Sequence, residues 1–248
     1  MLQALIADVH ANLPALEAVL AHIEAQKPDR IYCLGDTVGY GAQPRECLQR
    51  VRRACSLVLM GNHEQAVLHG AEHFTPLARQ ASEWTARQLT DRETLDYLGR
   101  LEPTKKESSY LYVHGSIRDP VLDYVREADS PWMFQRLVRT LHEDFQGFDI
   151  CFVGHNHRAF LATEVGYIFP HEEGPAARTR FQVAGQKLYV SVGSVGQPRD
   201  GDPRASYVLF DGTSVTYHRV PYDVDLAVRR IQEAGLPEFL GERLRLGE

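Results

Sequence analysis

Short apolar runs alternate with amphipathic segments along the first 157 residues of the chain. Five runs have the length and composition of buried strands; they are LQALIAD (2–8), RIYCLGD (30–36), LVLMGNHE (57–64), SSYLYVHGS (108–116) and DICFVGHNH (149–157). Between them, apolar residues recur with helical spacing in LPALEAVLAHIEAQ (13–26), PRECLQRVRRA (44–54), residues 64–102 and PWMFQRLVRTLHEDF (131–145). This order predicts a mostly parallel sheet with helices covering its faces.

The pattern changes between residues 159 and 220, where short strand-like pieces follow one another between turn signals. FDGTS (210–214) is typical of a hairpin turn, and this region predicts antiparallel sheet. HEEGPAARTR (171–180) is expected to be an exposed loop, and residues 225–240 return to helical spacing. We predict a single domain over residues 1–248, in which the two halves form two sheets that share one core.

Composition narrows the class of protein. The chain has 248 residues, 44% of them hydrophobic, and a net charge of -6, which is ordinary for a globular protein and disfavours bulk nucleic acid as a partner. No apolar stretch reaches 18 residues, so no membrane partner is expected, and the N-terminus is typical of a core strand. The four cysteines form no CxxC pair, which favours the cytoplasm; the oligomeric state stays open.

Each of the five predicted strands ends in residues that can bind a metal. These residues are Asp8 and His10, Asp36, Asn62 with His63 and Glu64, His114, and His155 with His157. In open α/β sheets, ligands bind outside the carboxyl ends of the strands, so the five sets are expected at one edge. Each pair alone has an ordinary explanation as a cap or turn. Their common position after a strand predicts a metal site.

The series D-x-H, G-D, G-N-H-E, a single His and G-H-x-H resembles the calcineurin-like metallophosphoesterases. All five motifs are present in order, from residue 8 to residue 157. The resemblance implies an α/β fold, a four-layer α/β-β/α sandwich of two mixed sheets. It is greatest to small bacterial members of the phosphodiesterase or diadenosine-tetraphosphatase-like type.

The resemblance also implies a dinuclear site. One ion would be held by Asp8, His10, Asp36 and His157, and the other by Asp36, Asn62, His114 and His155. A donor set of nitrogen and oxygen suits Mn, Fe, Zn, Ni or Co. Two dications, two carboxylates and a bridging hydroxide would leave a net charge near +1, which attracts an anion. The implied reaction is in-line attack of that hydroxide on a small phosphodiester or nucleotide.

His63 remains outside both ligand sets, and the matching histidine of the family faces the leaving group as a general acid or electrostatic stabiliser. The protein Ser/Thr phosphatases of the family carry G-D-x-x-D-R-G, whereas Gly39 and Tyr40 stand here in place of the Asp-Arg pair. Protein phosphatase activity is therefore less favoured. Glu64 is a weak candidate for the missing partner of His63, since adjacent side chains diverge.

The arginine of that motif is also missing, so other phosphate-binding residues are needed. Arg118 and Arg199 follow predicted strand ends and are the candidates, since a guanidinium matches phosphate oxygens. Tyr40 either stacks on a base or packs in its loop, and Asn156 either orients its histidine neighbours or shapes a turn. Six further histidines are expected at the surface or in the core; they are His22, His69, His73, His142, His171 and His218.

Two alternatives to a phosphodiesterase stay open at this point. A diadenosine polyphosphate hydrolase would need groups for two bases, which the sequence does not settle. A non-catalytic binding scaffold would keep the fold without its chemistry, although every motif residue is intact here.

Overall fold

The chain is described by a computed structural model that covers residues 1–125, 131–170 and 178–248. Its strands form two six-stranded mixed sheets. The first sheet has the order β3 (Leu57–Val58), β2 (Arg30–Cys33), β1 (Gln3–Ile6), β11 (Ala205–Phe210), β12 (Ser214–Val220) and β9 (Arg178–Gln182). The second has the order β4 (Thr104–Glu107), β5 (Tyr110–Val113), β6 (Ile150–Val153), β10 (Leu188–Val192), β7 (Ala159–Thr163) and β8 (Gly166–Ile168).

Both sheets combine parallel and antiparallel pairs. In the first, β1 runs parallel to β2 and antiparallel to β11, with Leu5 beside Tyr32 and Val208. In the second, β6 runs parallel to β5 and β10, and β10 runs antiparallel to β7. The predicted motifs follow the carboxyl ends of β1, β2 and β3 in the first sheet and those of β5 and β6 in the second.

The main hydrophobic core lies between the two sheets. Phe152 of the second sheet contacts Phe210 of the first, with ring centroids 5.0 Å apart, and the Tyr32 and Tyr112 rings meet edge to face at 5.3 Å. The buried Tyr217 hydroxyl donates across the interface to the main-chain oxygen of Phe160, at 2.8 Å. Aromatic pairs of this kind stabilise a core beyond the area that they bury.

Helices cover the outer faces of both sheets. The described helices are α1 (Leu13–Gln26), α2 (Pro44–Ala54), α3 (Asn62–His69), α4 (Pro76–Gln88), α5 (Arg92–Leu98), α6 (Pro131–Glu143), α7 (Val224–Glu233) and α8 (Phe239–Leu246). The Asn12 side chain caps α1 by accepting from the Ala15 N–H at 3.2 Å, and the apolar face of α1 packs on the first sheet. Leu137 and Leu141 of α6 pack on the second. The predicted four-layer sandwich is confirmed.

The assignment of strands to sheets was predicted wrongly. The two halves of the sequence do not each form a sheet, because β11, β12 and β9 extend the first sheet and β10, β7 and β8 extend the second. The polar strand β4 was not predicted, whereas residues 64–102 are mostly helical as predicted, in α3, α4 and α5. Residues 171–177 of the expected loop lie outside the described residues.

Within the described ranges, no helix combines the length and the apolar character needed to cross a membrane.

Candidate metal centre

The predicted ligands meet at the seam between the two sheets, not at one edge of a single sheet. Asp8 and His10 follow β1, and main-chain hydrogen bonds from Asp8 N to Gly35 O (3.1 Å) and from His10 N to Asp36 O (2.9 Å) fasten them to the loop after β2. The His155 N–H, which follows β6 of the other sheet, donates to the Asp8 carboxylate at 3.0 Å. That bond joins the two sheets at the site.

The side chains form two groups of buried donors, each with ligand atoms within 4.8 Å of one another. The first group is Asp8, His10, Asp36 and His157, and the second is Asp36, His114 and His155. Asn62 adjoins the second group, since its Oδ1 lies 3.0 Å from His114 Nε2. The structure thus brings together all seven predicted ligands and divides them as the sequence comparison implied, with Asp36 in both groups.

Asp36 is held so that one oxygen serves both groups. Its Oδ1 accepts a hydrogen bond from the His63 N–H at 2.9 Å. Its Oδ2 lies 3.6 Å from His10 Nε2 and 3.2 Å from His114 Nε2. The fixed Oδ1 therefore leaves Oδ2 aimed between the two sets of imidazoles.

The four clustered histidines each place one ring nitrogen on a main-chain carbonyl oxygen. The distances are 3.0 Å from His10 Nδ1 to Val38 O, 2.7 Å from His157 Nδ1 to Gln197 O, 2.9 Å from His114 Nδ1 to Leu34 O and 3.3 Å from His155 Nε2 to Leu122 O. A carbonyl oxygen only accepts, so these nitrogens carry protons, and in a neutral ring the opposite nitrogen points a lone pair into the cluster. This is the orientation that metal-binding histidines adopt.

In the neutral, metal-binding form of these rings, the atoms that converge on the cluster are therefore acceptors that face other acceptors. His10 Nε2 and His157 Nε2 are 3.0 Å apart, and so are His114 Nε2 and His155 Nδ1. Buried acceptors at this separation need a positively charged partner between them. The donor set thus fits divalent cations, and its imidazole and carboxylate composition fits transition metals.

Burial keeps three of these imidazoles in the form that binds metal. It lowers the pKa of His155 to about 3 and holds the pKa of His10 and His157 well below the ordinary value. The neutral ring is the one that offers a lone pair to a cation.

The carboxylates differ from each other. Burial raises the pKa of Asp8 to about 8. At Asp36 burial acts in the same direction, but the charges of His114 and His63 outweigh it and hold the pKa well below its usual range. Although burial lowers the pKa of His114, Asp36 outweighs that effect and raises it to about 9. The site therefore attracts positive charge around Asp36, whether a proton or a metal ion supplies it.

The backbone at the site is tightly constrained. Left-handed φ angles occur at five predicted ligands: Asp8 (53°), His10 (46°), Asp36 (53°), His155 (68°) and His157 (61°). Gly61 is needed for a different reason, since a Cβ there would lie 2.2 Å from Asp36 Oδ1. Close approach of this loop to Asp36 requires a residue without a side chain.

Glu64 has a role that the sequence did not predict. Its buried carboxylate accepts four main-chain hydrogen bonds, from the N–H groups of Asp36 (2.9 Å), Thr37 (2.7 Å), Val38 (3.2 Å) and Gly61 (2.9 Å). It therefore fixes the loop that carries Asp36, and it does not orient His63. A Glu at the third helical position, after Gly61 as the N-cap, is the sequence signal for one half of a capping box, the bond from the Gly61 N–H to Glu64; Gly61 has no side chain to form the other half.

His63 stands beside the cluster, buried among rings. Its ring lies 4.8 Å from that of His10, 4.5 Å from that of Tyr40 and 4.8 Å from that of Phe74. Burial lowers the pKa of His63 to about 4, and Ser82 Oγ is 3.5 Å from its Nδ1.

The structure explains the glycine found where the protein phosphatases carry aspartate. A Cβ at Gly39, where φ is +89°, would lie 2.1 Å from His63 Nδ1. The His63 ring occupies the space that an aspartate side chain would need. Tyr40 packs beside this ring in its loop and also lines the cavity over the cluster, so its two predicted roles are compatible.

A cavity of about 450 Å³ opens over the cluster. His63, Tyr40, Tyr124 and Arg199 line it, as does His73, which the sequence placed among ordinary surface or core histidines. The Tyr124 ring stacks on the His155 ring at 3.7 Å. Of the two predicted phosphate-binding arginines, Arg199 lies in this wall.

Arg118 is placed elsewhere. Its guanidinium forms an ion pair with Asp144, and it lines a second cavity of about 340 Å³. The structure therefore does not bring Arg118 to the cluster. Asn156 shapes its own turn: its Oδ1 accepts from the Arg158 N–H at 2.8 Å and from Ser191 Oγ at 2.9 Å.

A sequence profile of the calcineurin-like phosphoesterase superfamily domain matches residues 1–214. The chain belongs to this superfamily. An uncharacterized protein of Methanocaldococcus jannaschii is 35% identical over 252 aligned positions, which span 98% of this chain and 97% of the relative.

Solved structures agree with this membership of the calcineurin-like superfamily. A metallophosphoesterase from Sphaerobacter thermophilus is 38% identical, with a TM-score of 0.85 over 100% of this chain and 99% of that one. A hypothetical protein from Pyrococcus horikoshii OT3 has the same fold, with a TM-score of 0.77 at 20% identity over 100% and 98% of the two chains. The protein is a hydrolase of phosphate esters with buried Asp and His groups that could hold metal ions.

Proposed function

We propose that this protein is a dinuclear metal-dependent phosphoesterase that hydrolyses a small phosphodiester or nucleotide. The proposal rests on one observation: in each of two groups of buried ligand atoms that share Asp36, two imidazole nitrogens lie 3.0 Å apart while the opposite nitrogens of the same rings contact main-chain carbonyl oxygens. The proposed ligands are Asp8, His10, Asp36 and His157 for one ion, and Asp36, Asn62, His114 and His155 for the other.

The metal would be Mn, Fe, Zn, Ni or Co, because neutral imidazoles and carboxylates suit these ions. When bound, two such ions supply Lewis acidity toward phosphoryl oxygens and lower the pKa of a coordinated water.

The residues around the cluster would bind and orient the substrate. Arg199 would donate to the phosphoryl oxygens from the cavity wall. His63 would face the leaving group, as a proton donor or as a stabiliser of developing charge. Tyr40 and Tyr124 add aromatic walls to a cavity whose size suits a small organic phosphate. We place the enzyme in the cytoplasm, as the cysteine pattern predicts.

The test measures metal content and turnover in the same preparations. Wild type, His63→Ala and His69→Ala are purified and analysed for metals by mass spectrometry. Each is assayed on bis-p-nitrophenyl phosphate and p-nitrophenyl phosphate with added Mn²⁺. His69 is the matched control, because it is an exposed histidine on the same helix, α3.

We expect about two metal ions per chain. We also expect a kcat that falls by about 10²- to 10⁴-fold in His63→Ala without loss of metal, and no change in His69→Ala. A higher kcat/KM for the diester would identify a diesterase. Metal-free protein that hydrolyses neither ester after metals are added would refute the proposal and favour a binding scaffold.

A further inference from the structure

A second arginine reaches the cavity from a part of the chain that the superfamily profile does not cover. Arg243 lies on α8, beyond the matched residues 1–214, and lines the same cavity as Arg199 and Asp36. Its position depends on the α7–α8 hairpin, whose Ile231 and Leu240 pack together beside Tyr40.

The end of α8 is fastened to the loop that carries Arg199. The Gly201 N–H donates to Gly247 O at 3.0 Å. Gly247 has a φ of +69°, and a Cβ there would lie 2.7 Å from Asp202 N, so the two segments approach closely. On the other side of the same loop, the Arg199 N–H donates to His157 O at 3.0 Å. The loop therefore connects the cluster to α8, with Arg199 between them.

Two aspartates of the loop that carries Arg199 form ion pairs with other arginines. Asp200 pairs with Arg219, and Asp202 pairs with Arg204 at 2.6 Å. The Arg199 guanidinium instead donates to Gln197 Oε1 at 2.6 Å and lies 5.7 Å from the Tyr40 ring centroid.

Arg243 is similar. Its Nε donates to the main-chain oxygen of Glu248, and its guanidinium lies 5.7 Å from the Phe239 ring centroid. Within the described parts of the chain, neither Arg199 nor Arg243 forms an ion pair with an Asp or Glu side chain. Burial and the charge of Arg199 lower the pKa of Arg243 to about 10, although Tyr40 and Glu248 act in the opposite direction. Two half-buried cations that repel each other in one cavity wall are stabilised when an anion binds between them.

We propose that Arg243 and Arg199 together bind a second anionic group of the substrate, so that the preferred substrate is an organic phosphate with a further phosphate beyond the one at the cluster. This inference rests on the proposed function, since it assumes that the first phosphate lies at the cluster. Arg199 would contact both phosphates, and Arg243 only the distal one. Arg243 is thus a specificity-determining residue that the α7–α8 hairpin supplies.

The test compares two ligands that differ by one phosphate-like group, AMP and α,β-methylene-ADP. Their dissociation constants are measured by calorimetry with Mn²⁺ present, for wild type, Arg243→Gln, Arg243→Lys and Arg245→Gln. Arg245 is the matched control, because it lies on α8 but forms an exposed ion pair with Asp225 at 2.8 Å. Phosphate release is monitored to exclude turnover of AMP.

We expect wild type and Arg245→Gln to bind the methylene diphosphate about tenfold more tightly than AMP, the effect of one charge-assisted hydrogen-bond pair. Arg243→Gln should lose that advantage while its affinity for AMP changes little, and Arg243→Lys should keep part of it, which tests the inference even if the Gln variant does not fold. An advantage that is unchanged in Arg243→Gln, or equal losses for both ligands, would overturn the inference.

Turnover of bis-p-nitrophenyl phosphate in the same preparations separates the two failures. Wild type that binds both ligands but hydrolyses no ester contradicts the proposed function. Wild type that hydrolyses the diester without preferring the second phosphate contradicts only the role of Arg243.

Discussion

Replacing Glu64 with glutamine removes two main-chain hydrogen bonds from the loop that carries Asp36. Glu64 Oε2 accepts from the N–H groups of Asp36 and Gly61, both at 2.9 Å, and Oε1 accepts from those of Thr37 and Val38 at 2.7 and 3.2 Å. An amide has a single acceptor oxygen, so in either orientation two N–H donors face an NH₂ group. The shape of the side chain is otherwise unchanged.

The expected loss is large because the bonds are charge-assisted and buried. A hydrogen bond to a charged group contributes about 1.5–3 kcal/mol, so two of them contribute about 3–6 kcal/mol. Removing a buried charge offsets part of this, and we expect a net loss of about 3 kcal/mol. For a chain of this size that corresponds to a fall in Tm of about 6–12 °C. Since Asp36 belongs to both ligand groups, metal affinity should also fall, by about 10- to 100-fold.

Thermal unfolding of the metal-free protein, followed by circular dichroism, measures the first effect, and titration with Mn²⁺ measures the second. Glu24→Gln, an exposed position on α1, is the control for the same chemical change. If Glu64→Gln matches Glu24→Gln in both Tm and metal affinity, the four hydrogen bonds do not hold the loop as we argue.

Three further predictions follow from particular contacts. Gly39→Ala would place its Cβ 2.1 Å from His63 Nδ1, so kcat should fall at least about tenfold with metal content unchanged. The control is Gly70→Ala, which has a similar φ of +93° but lies in open space and should not affect kcat. Equal kcat values for the two variants would show that a side chain at position 39 does not displace His63. Phe152→Ala empties a fully buried site between the sheets and should lower the free energy of unfolding by about 3–5 kcal/mol, measured in urea; a loss under about 1 kcal/mol would contradict this packing. Mn²⁺ at a hundredfold excess over its Kd should stabilise the wild type by about 2.7 kcal/mol, which raises Tm by about 5–11 °C. His10→Ala should reduce that rise in Tm. A wild-type Tm that does not respond to Mn²⁺ would contradict metal binding at the cluster.

Local patterns predicted the elements best. The helical spacing at 13–26 and 44–54 matches the bounds of α1 and α2, and β11 and β12 lie in the region of residues 159–220 that was predicted to hold antiparallel strands. Capping residues and turn residues such as Asn12 make these boundaries readable in the sequence. The strand β4 was missed because its residues, TKKE, carry no apolar alternation.

Local sequence patterns did not predict which strands pair with each other. Nothing local in β1 indicates that β11, about two hundred residues later, will be its antiparallel neighbour. For the same reason the ligands were expected at one sheet edge, although they meet at the seam of two sheets. The motif positions still identified which side chains converge, because each follows a strand end.

Sequence patterns were least able to predict which arginines outside the motifs lie at the candidate site. Arg118 and Arg199 looked equivalent in sequence, but only the structure shows that Asp144 pairs with Arg118. Arg243 enters the cavity through packing of a distant hairpin, which no short motif records. Tertiary contacts thus determine which of two arginines that look alike in sequence lies at the candidate site.

The five predicted ligands with left-handed backbone angles connect the thermal stability of the protein with its proposed activity. Each such residue other than glycine costs on the order of 1–3 kcal/mol, which the surrounding hydrogen bonds must offset. Glycine or asparagine at Asp8, His10, Asp36, His155 or His157 would relieve this strain, but it would also remove a side chain of the cluster, so conformational strain and the proposed chemistry depend on the same positions. Directed evolution toward higher temperature therefore needs a continuous screen for turnover, because a substitution that relieves strain at these positions removes a predicted metal ligand.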